Sequence, residues 1–118
     1  MLLISSTGSG EKMVTFDEFQ KMDMRVARVE SVEKIPGTDK LYKMQIDCGE
    51  KRTIVSGIAD QYKPEELVGL DIVVIANLEP RKIRGIESHG MLLAAEDSSG
   101  AVSLLVPMRK IKPGTKVH

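Results

Sequence analysis

The sequence is poor in the residues that carry most enzyme and metal chemistry. It has one cysteine, Cys48, and two histidines, His89 and His118. It has no tryptophan, and its only aromatic residues are Phe16, Phe19, Tyr42 and Tyr62. A single cysteine excludes an internal disulfide and a cysteine cluster for zinc. A lone thiol fits a reducing compartment, so a cytoplasmic protein is expected. The histidines lie far apart and lack cysteine or carboxylate partners at ligand spacing, so no metal site is expected. Net charge is absent too: Lys+Arg 17 cancel Asp+Glu 17. No global field draws the chain to a nucleic acid or a membrane, although a local basic patch can persist in a neutral protein. Apolar runs reach only five residues, as in Ile72 to Ala76, against the roughly 20 a membrane helix needs, and no membrane association is expected.

Catalytic patterns are missing as well. The segment "SGIAD" lacks the lysine and the glycine spacing of a phosphate-cradling loop. Ser88 and His89 are sequence neighbours, which does not make them a dyad. Cys48 shares the face of Tyr42, Met44 and Ile46, where a cysteine is packing rather than nucleophile. The expectation is a non-catalytic module without a cofactor.

What remains is a β pattern. Residues 1–12, "MLLISSTGSGEK", read as a flexible arm or a cloning remnant, and residues 13–118 as one domain. "TFDEFQ" reads as a short helix with Thr15 and Glu18 forming a capping box, packed on a sheet by Phe16 and Phe19. The valine-rich Met24 to Val32 reads as a long strand whose parity slips between Val26 and Val29, which predicts a bulge or coiling. Tyr42 to Cys48 alternates as a half-buried strand, and "GEKR" turns it into "TIVSG" as a hairpin. "KPEELVG" reads as a helical turn, and Asp71 to Asn77 as a buried strand. "GMLLAAED" and "AVSLLVP" read as two strands joined by the turn "DSSG". Short strands with marginal helices predict an all-β fold, specifically a five-stranded Greek-key OB barrel with short helices and extra C-terminal strands.

The stretch "NLEPRKIRGIESHGMLLAA" reads as a glycine-hinged loop holding Arg81, Lys82 and Arg84, the densest cationic cluster together with "RKIK", Arg109 to Lys112. Such cations can neutralise phosphates, and in an OB barrel the loop between the fourth and fifth strands borders the oligonucleotide face. Asn77 and Ser88 add hydrogen-bonding groups and Met91 an adaptable apolar contact. Few aromatics are available, so stacking on splayed bases is a poor fit. Recognition of a folded RNA through its backbone and shape is the better one.

The motifs "DKLY", "R-x-I-V-S-G-I", "N-L-x-P-R-K-I-R-G" and "S-x-G-M-L-L-A", in that order, resemble the tRNA-binding domain found at the C-terminus of many methionyl-tRNA synthetases and in free-standing tRNA-binding proteins. The resemblance runs from about Phe16 to the C-terminus. It implies sequence-independent binding of the tRNA elbow by an OB barrel, with Asn77, Ser88 and Met91 at the RNA. Arg81, Lys82 and Arg84 match its basic loop, Lys40 matches the lysine of "DKLY", and Arg28 is placed on the first strand. Glu79 stands where a lysine is common, which adds an anion beside the phosphates. Implied partners are tRNA, a methionyl-tRNA synthetase catalytic subunit and a second copy of the chain in a homodimer. The same family includes a secretion chaperone, so a peptide-binding chaperone remains the alternative. An assembly subunit that tethers synthetases without touching RNA is a third reading.

Overall fold

The computed structural model describes residues 12–118. The expected N-terminal arm therefore lies outside the described residues except for Lys12. Among the described residues there are ten strands and two short helices in the order α1 (Phe16–Gln20), β1 (Met24–Lys34), β2 (Tyr42–Asp47), β3 (Lys51–Ser56), α2 (Pro64–Leu67), β4 (Asp71–Ile75), β5 (Arg81–Ile83), β6 (Ile86–Ser88), β7 (Met91–Leu92), β8 (Ala94–Glu96), β9 (Val102–Leu104) and β10 (Lys116–Val117).

The main sheet has the order β3-β2-β1-β4-β7, all antiparallel, with β10 added to β1. β1 is long enough to serve two neighbours. Its first half, Met24 to Arg28, pairs with β4, and its second half, from Arg28 on, pairs with β2. The register shifts between Val29 and Ser31, and this extra residue lets the strand coil. The sheet thus curls around Met44, Ile46, Ile54, Ile72 and Val74, all sealed from solvent together with Cys48. α2 begins at Pro64, whose missing N–H costs nothing at a helix start, and puts Leu67 under the barrel.

The curled sheet closes where β3 meets the segment entering β7. The His89 N–H donates to the Thr53 carbonyl at 2.9 Å, and a glycine is needed at the next position. A Cβ on Gly90 would lie 3.0 Å from the Ile75 carbonyl oxygen, and its φ is +129°. The all-β OB architecture read from the sequence is therefore the one observed. The run from Met91 to Glu96 is not one strand, however. It breaks at Leu93, because its first part pairs with β4 and its second with β9.

The phenylalanines depart from their expected role. α1 has its Thr15–Glu18 capping box, but none of its residues is buried. Phe16 is 70% and Phe19 39% exposed, so they do not pin the helix to the sheet. With Met22 and Val117 they instead line a groove of about 420 Å³. At five residues α1 is too short to lay a broad apolar stripe on the barrel. Polar bonds from Asn77 hold the segment that follows it. The tyrosines are the structural aromatics. The Tyr42 hydroxyl donates to the Tyr62 carbonyl at 2.7 Å, and the Tyr62 hydroxyl donates to the Val102 carbonyl and accepts from the Leu104 N–H, both at 3.2 Å.

Candidate nucleic-acid interface

The connection from β4 to β7 is a β-hairpin rather than the loop expected from the sequence. β5 and β6 pair with Arg81 opposite Ser88, Lys82 opposite Glu87 and Ile83 opposite Ile86. The turn is Arg84-Gly85, with φ values of 53° and 81°. Two consecutive positive values are the signature of a type I′ turn, whose twist matches that of the flanking strands. Arg84 is the sole non-glycine residue with positive φ among those described. Backbone geometry thus places its side chain at the very tip.

The hairpin's cations have no carboxylate partner of their own. Among the described residues, no ion pair within 4.0 Å engages Arg81, Lys82 or Arg84. Cations on the barrel body behave differently. Arg25 pairs with Asp23 at 2.8 Å, Arg52 with Glu50 at 3.2 Å, and Lys51 with Glu30. The hydrogen bond from Arg25, aided by its charge and that of Lys116, holds the Asp23 carboxyl below the usual carboxylate range. Glu30 in turn raises the Lys51 ammonium.

Between the hairpin, the end of β3 and the loop from β1 to β2 lies a groove of about 570 Å³, lined by Leu41, Ser56, Arg81, Ile83 and Met91 among others. Lys40, exposed, precedes Leu41 at its edge. Glu79 also lines it. Here the fold gathers Lys40, Arg81 and Met91 from distant parts of the sequence, with Lys82 and Arg84 on the projecting arm.

Three expected contact residues have other duties. The Asn77 amide oxygen accepts from the Asp23 N–H at 2.9 Å, and its nitrogen donates to the Lys21 carbonyl at 2.6 Å. Ser88 is 5% exposed; its hydroxyl accepts from the Val55 N–H at 2.9 Å and donates to the Gly90 carbonyl at 3.3 Å. Both side chains bond the protein's own backbone; Ser88 is buried in doing so, whereas Asn77 stays exposed. Arg28 grips Asp71 as a two-pronged fork at 2.9 and 3.2 Å. From β1 it faces the start of β4, whereas the hairpin follows the end of that strand.

Arg52, the arginine of "R-x-I-V-S-G-I", drew no role from the sequence. Its guanidinium donates to the Ala76 carbonyl and lies within 3.5 Å of the His89 carbonyl oxygen. Those two residues flank the hairpin. The signal available in the sequence was an arginine on a strand edge beside an acidic residue, Glu50, and it does not name a distant carbonyl. Among the described residues no group of three or more His, Cys, Asp or Glu side chains is placed to hold a metal ion, and no helix is long and apolar enough to cross a membrane.

A family model described as "Putative tRNA binding domain" matches residues 24–116. The chain belongs to the tRNA-binding domain family. This tRNA-binding domain is 56% identical over 107 residues to the methionine–tRNA ligase of Methanoculleus marisnigri, covering 90% of the present chain and 16% of that enzyme. It is 52% identical over 105 residues to the ligase of Bacteroides fragilis, again covering 16% of it. The chain therefore spans about a sixth of these relatives. Among solved structures, the MetRS-related protein of Pyrococcus horikoshii superposes with a TM-score of 0.86 at 44% identity, covering 91% of this chain and 99% of that one. The chaperone CsaA of Bacillus anthracis superposes with a TM-score of 0.81 at 30% identity, covering 90% and 99%.

Proposed function

We propose that this domain binds folded tRNA without reading its sequence, as a non-catalytic accessory module of a methionyl-tRNA synthetase in the cytoplasm. The observation that carries this reading is the projecting hairpin whose three cations make no ion pair among the described residues. Cations without a partner in the free protein neutralise phosphates with no ion pair to break first, and the counterions released make affinity salt-dependent. The type I′ turn and the barrel fix the arm's direction, so it suits a polyanion of defined shape rather than a flexible strand. A second RNA contact of this kind raises a synthetase's hold on tRNA through effective concentration.

The test is a titration of the purified chain with folded tRNA and with an unstructured RNA of equal length at two salt concentrations. Tighter binding of the folded RNA, weakening steeply with salt, is expected. Equal affinity for the two RNAs, or indifference to salt, would overturn the reading. The chaperone reading draws on the apolar part of the groove, with Leu41, Ile83 and Met91. It predicts that an apolar peptide competes with tRNA, and an absence of competition removes it.

We also propose that the domain works as a homodimer. Phe16, Phe19 and Met22, and separately Val106, Met108 and Ile111, leave apolar surface open to solvent. Met108 is 96% exposed, a surface suited to a second copy.

A further inference from the structure

Arg52 belongs to β3, yet its side chain reaches away from that strand. One nitrogen donates to the Ala76 carbonyl, the last residue before the basic hairpin's connection, and lies within 3.5 Å of the His89 carbonyl oxygen at the other end. The second terminal nitrogen holds Glu50 at 3.2 Å. The planar fork of a guanidinium can serve several acceptors at once, which an ammonium cannot match in the same geometry. Ser88 and the His89 N–H add two more ties to β3. The arm's tip is free and its root is clamped.

We infer that Arg52 is a positioning residue for tRNA binding: it braces both ends of the basic hairpin against β3 and so fixes where Arg81, Lys82 and Arg84 point. This rests on the tRNA-binding reading above. An arm loosened at its root still reaches the same phosphates, but each binding event has to order it first, and that ordering lowers affinity.

The prediction separates bracing from contact. A side chain that touches a phosphate contributes roughly 0.7–0.9 to the slope of log affinity against log salt, whereas a brace contributes nothing to that slope. The experiment uses the full chain with Arg52→Gln, Arg52→Lys and Arg81→Ala, each titrated with folded tRNA across a salt series, with amide hydrogen exchange recorded on the free proteins. For Arg52→Gln the Kd is expected to rise roughly three- to tenfold, the scale of a lost hydrogen bond. The salt slope should stay at the wild-type value, and exchange should accelerate across residues 81–88 while the amides of β2 keep their protection. Arg52→Lys, which retains the charge, is expected to show the same pattern at smaller amplitude, and it carries the test if the glutamine variant does not fold. A slope lowered by one phosphate's worth would make Arg52 a direct contact and overturn the inference. Unchanged Kd in both Arg52 variants, with binding weakened in Arg81→Ala, would overturn the positioning role alone. Unchanged binding in Arg81→Ala would strike the hairpin reading itself, and the positioning role with it.

Discussion

Ser88 accepts a hydrogen bond from the Val55 N–H inside the barrel wall. Replacing it with alanine leaves that donor without its partner, at a cost of about 1–2 kcal/mol. Urea denaturation of Ser88→Ala should show a stability loss of that order. Arg81 and Lys82 face the opposite test. Both are exposed and without an ion pair among the described residues, so alanine there should leave urea stability within about 0.5 kcal/mol of the parent. It should weaken every tRNA alike, and each change should lower the salt slope by roughly one. Loss of affinity for one tRNA species alone would point to base readout instead. The motifs marked these positions in the sequence but could not separate the two kinds of duty. A serine that bonds its own backbone and a serine that faces a ligand are spelled the same way. Arg28 illustrates the same gap: only the pairing of β1 with β4 brings Asp71 against its guanidinium.

At the scale of elements, strands with clean alternation were legible and the hairpin was not. Tyr42 to Cys48 showed its period directly, whereas β5 and β6 are three residues each, too short for any period to register. What marks them is Arg84-Gly85 between two isoleucines, a turn signal only for a reader who admits a non-glycine residue at positive φ. The glycines separate by the same logic. Gly85 and Gly114 both have positive φ, but a Cβ at Gly85 meets nothing within 4 Å, whereas one at Gly114 falls 2.8 Å from the Gly49 Cα. Gly114→Ala is therefore expected to lower stability by more than about 2 kcal/mol, and Gly85→Ala by only about 1 kcal/mol, in paired thermal melts. α1 was legible as a helix and misread in its packing, because two phenylalanines three residues apart reveal a shared face without revealing what covers it. The junction beyond α1 should be acid-sensitive. Asp23 is held below the ordinary carboxylate range by its hydrogen bonds with Arg25 and by the charges of Arg25 and Lys116. A carboxyl lowered in the folded state contributes stability above its unfolded pKa and loses it as pH falls through the folded value. Asp23→Asn should thus be less stable than the parent near pH 7, and the gap should close in stronger acid.

For the molecule as a whole, the neutral composition hid an uneven distribution of partners. On the barrel strands Arg25, Arg28, Lys43, Lys51, Arg52 and Lys116 pair with carboxylates, whereas the hairpin's cations, like Arg109, Lys110 and Lys112, make no ion pair among the described residues, which no sum over the sequence can express. The proposed homodimer is tested by light scattering at micromolar concentration. The expected mass is twice the chain's 13.0 kDa, falling to the single-chain value when Met108→Asp and Phe16→Glu are combined. A single-chain mass for the parent would remove the dimer. The barrel itself was readable because five strands with turn signals leave few ways to bury their apolar faces, and the resemblance chose among them.

The pairing of Met24 with Val117 has a topological consequence. The first and last of the described strands run side by side, with α1 and His118 flanking the same groove. A short peptide could join residue 118 to the start of α1, since both line that groove, and the chain could be opened instead between Asp97 and Gly100, an exposed turn outside the hairpin. Such a rearranged gene should still yield the same barrel, because the pairing of β1 with β10 makes the order of synthesis incidental to the folded shape.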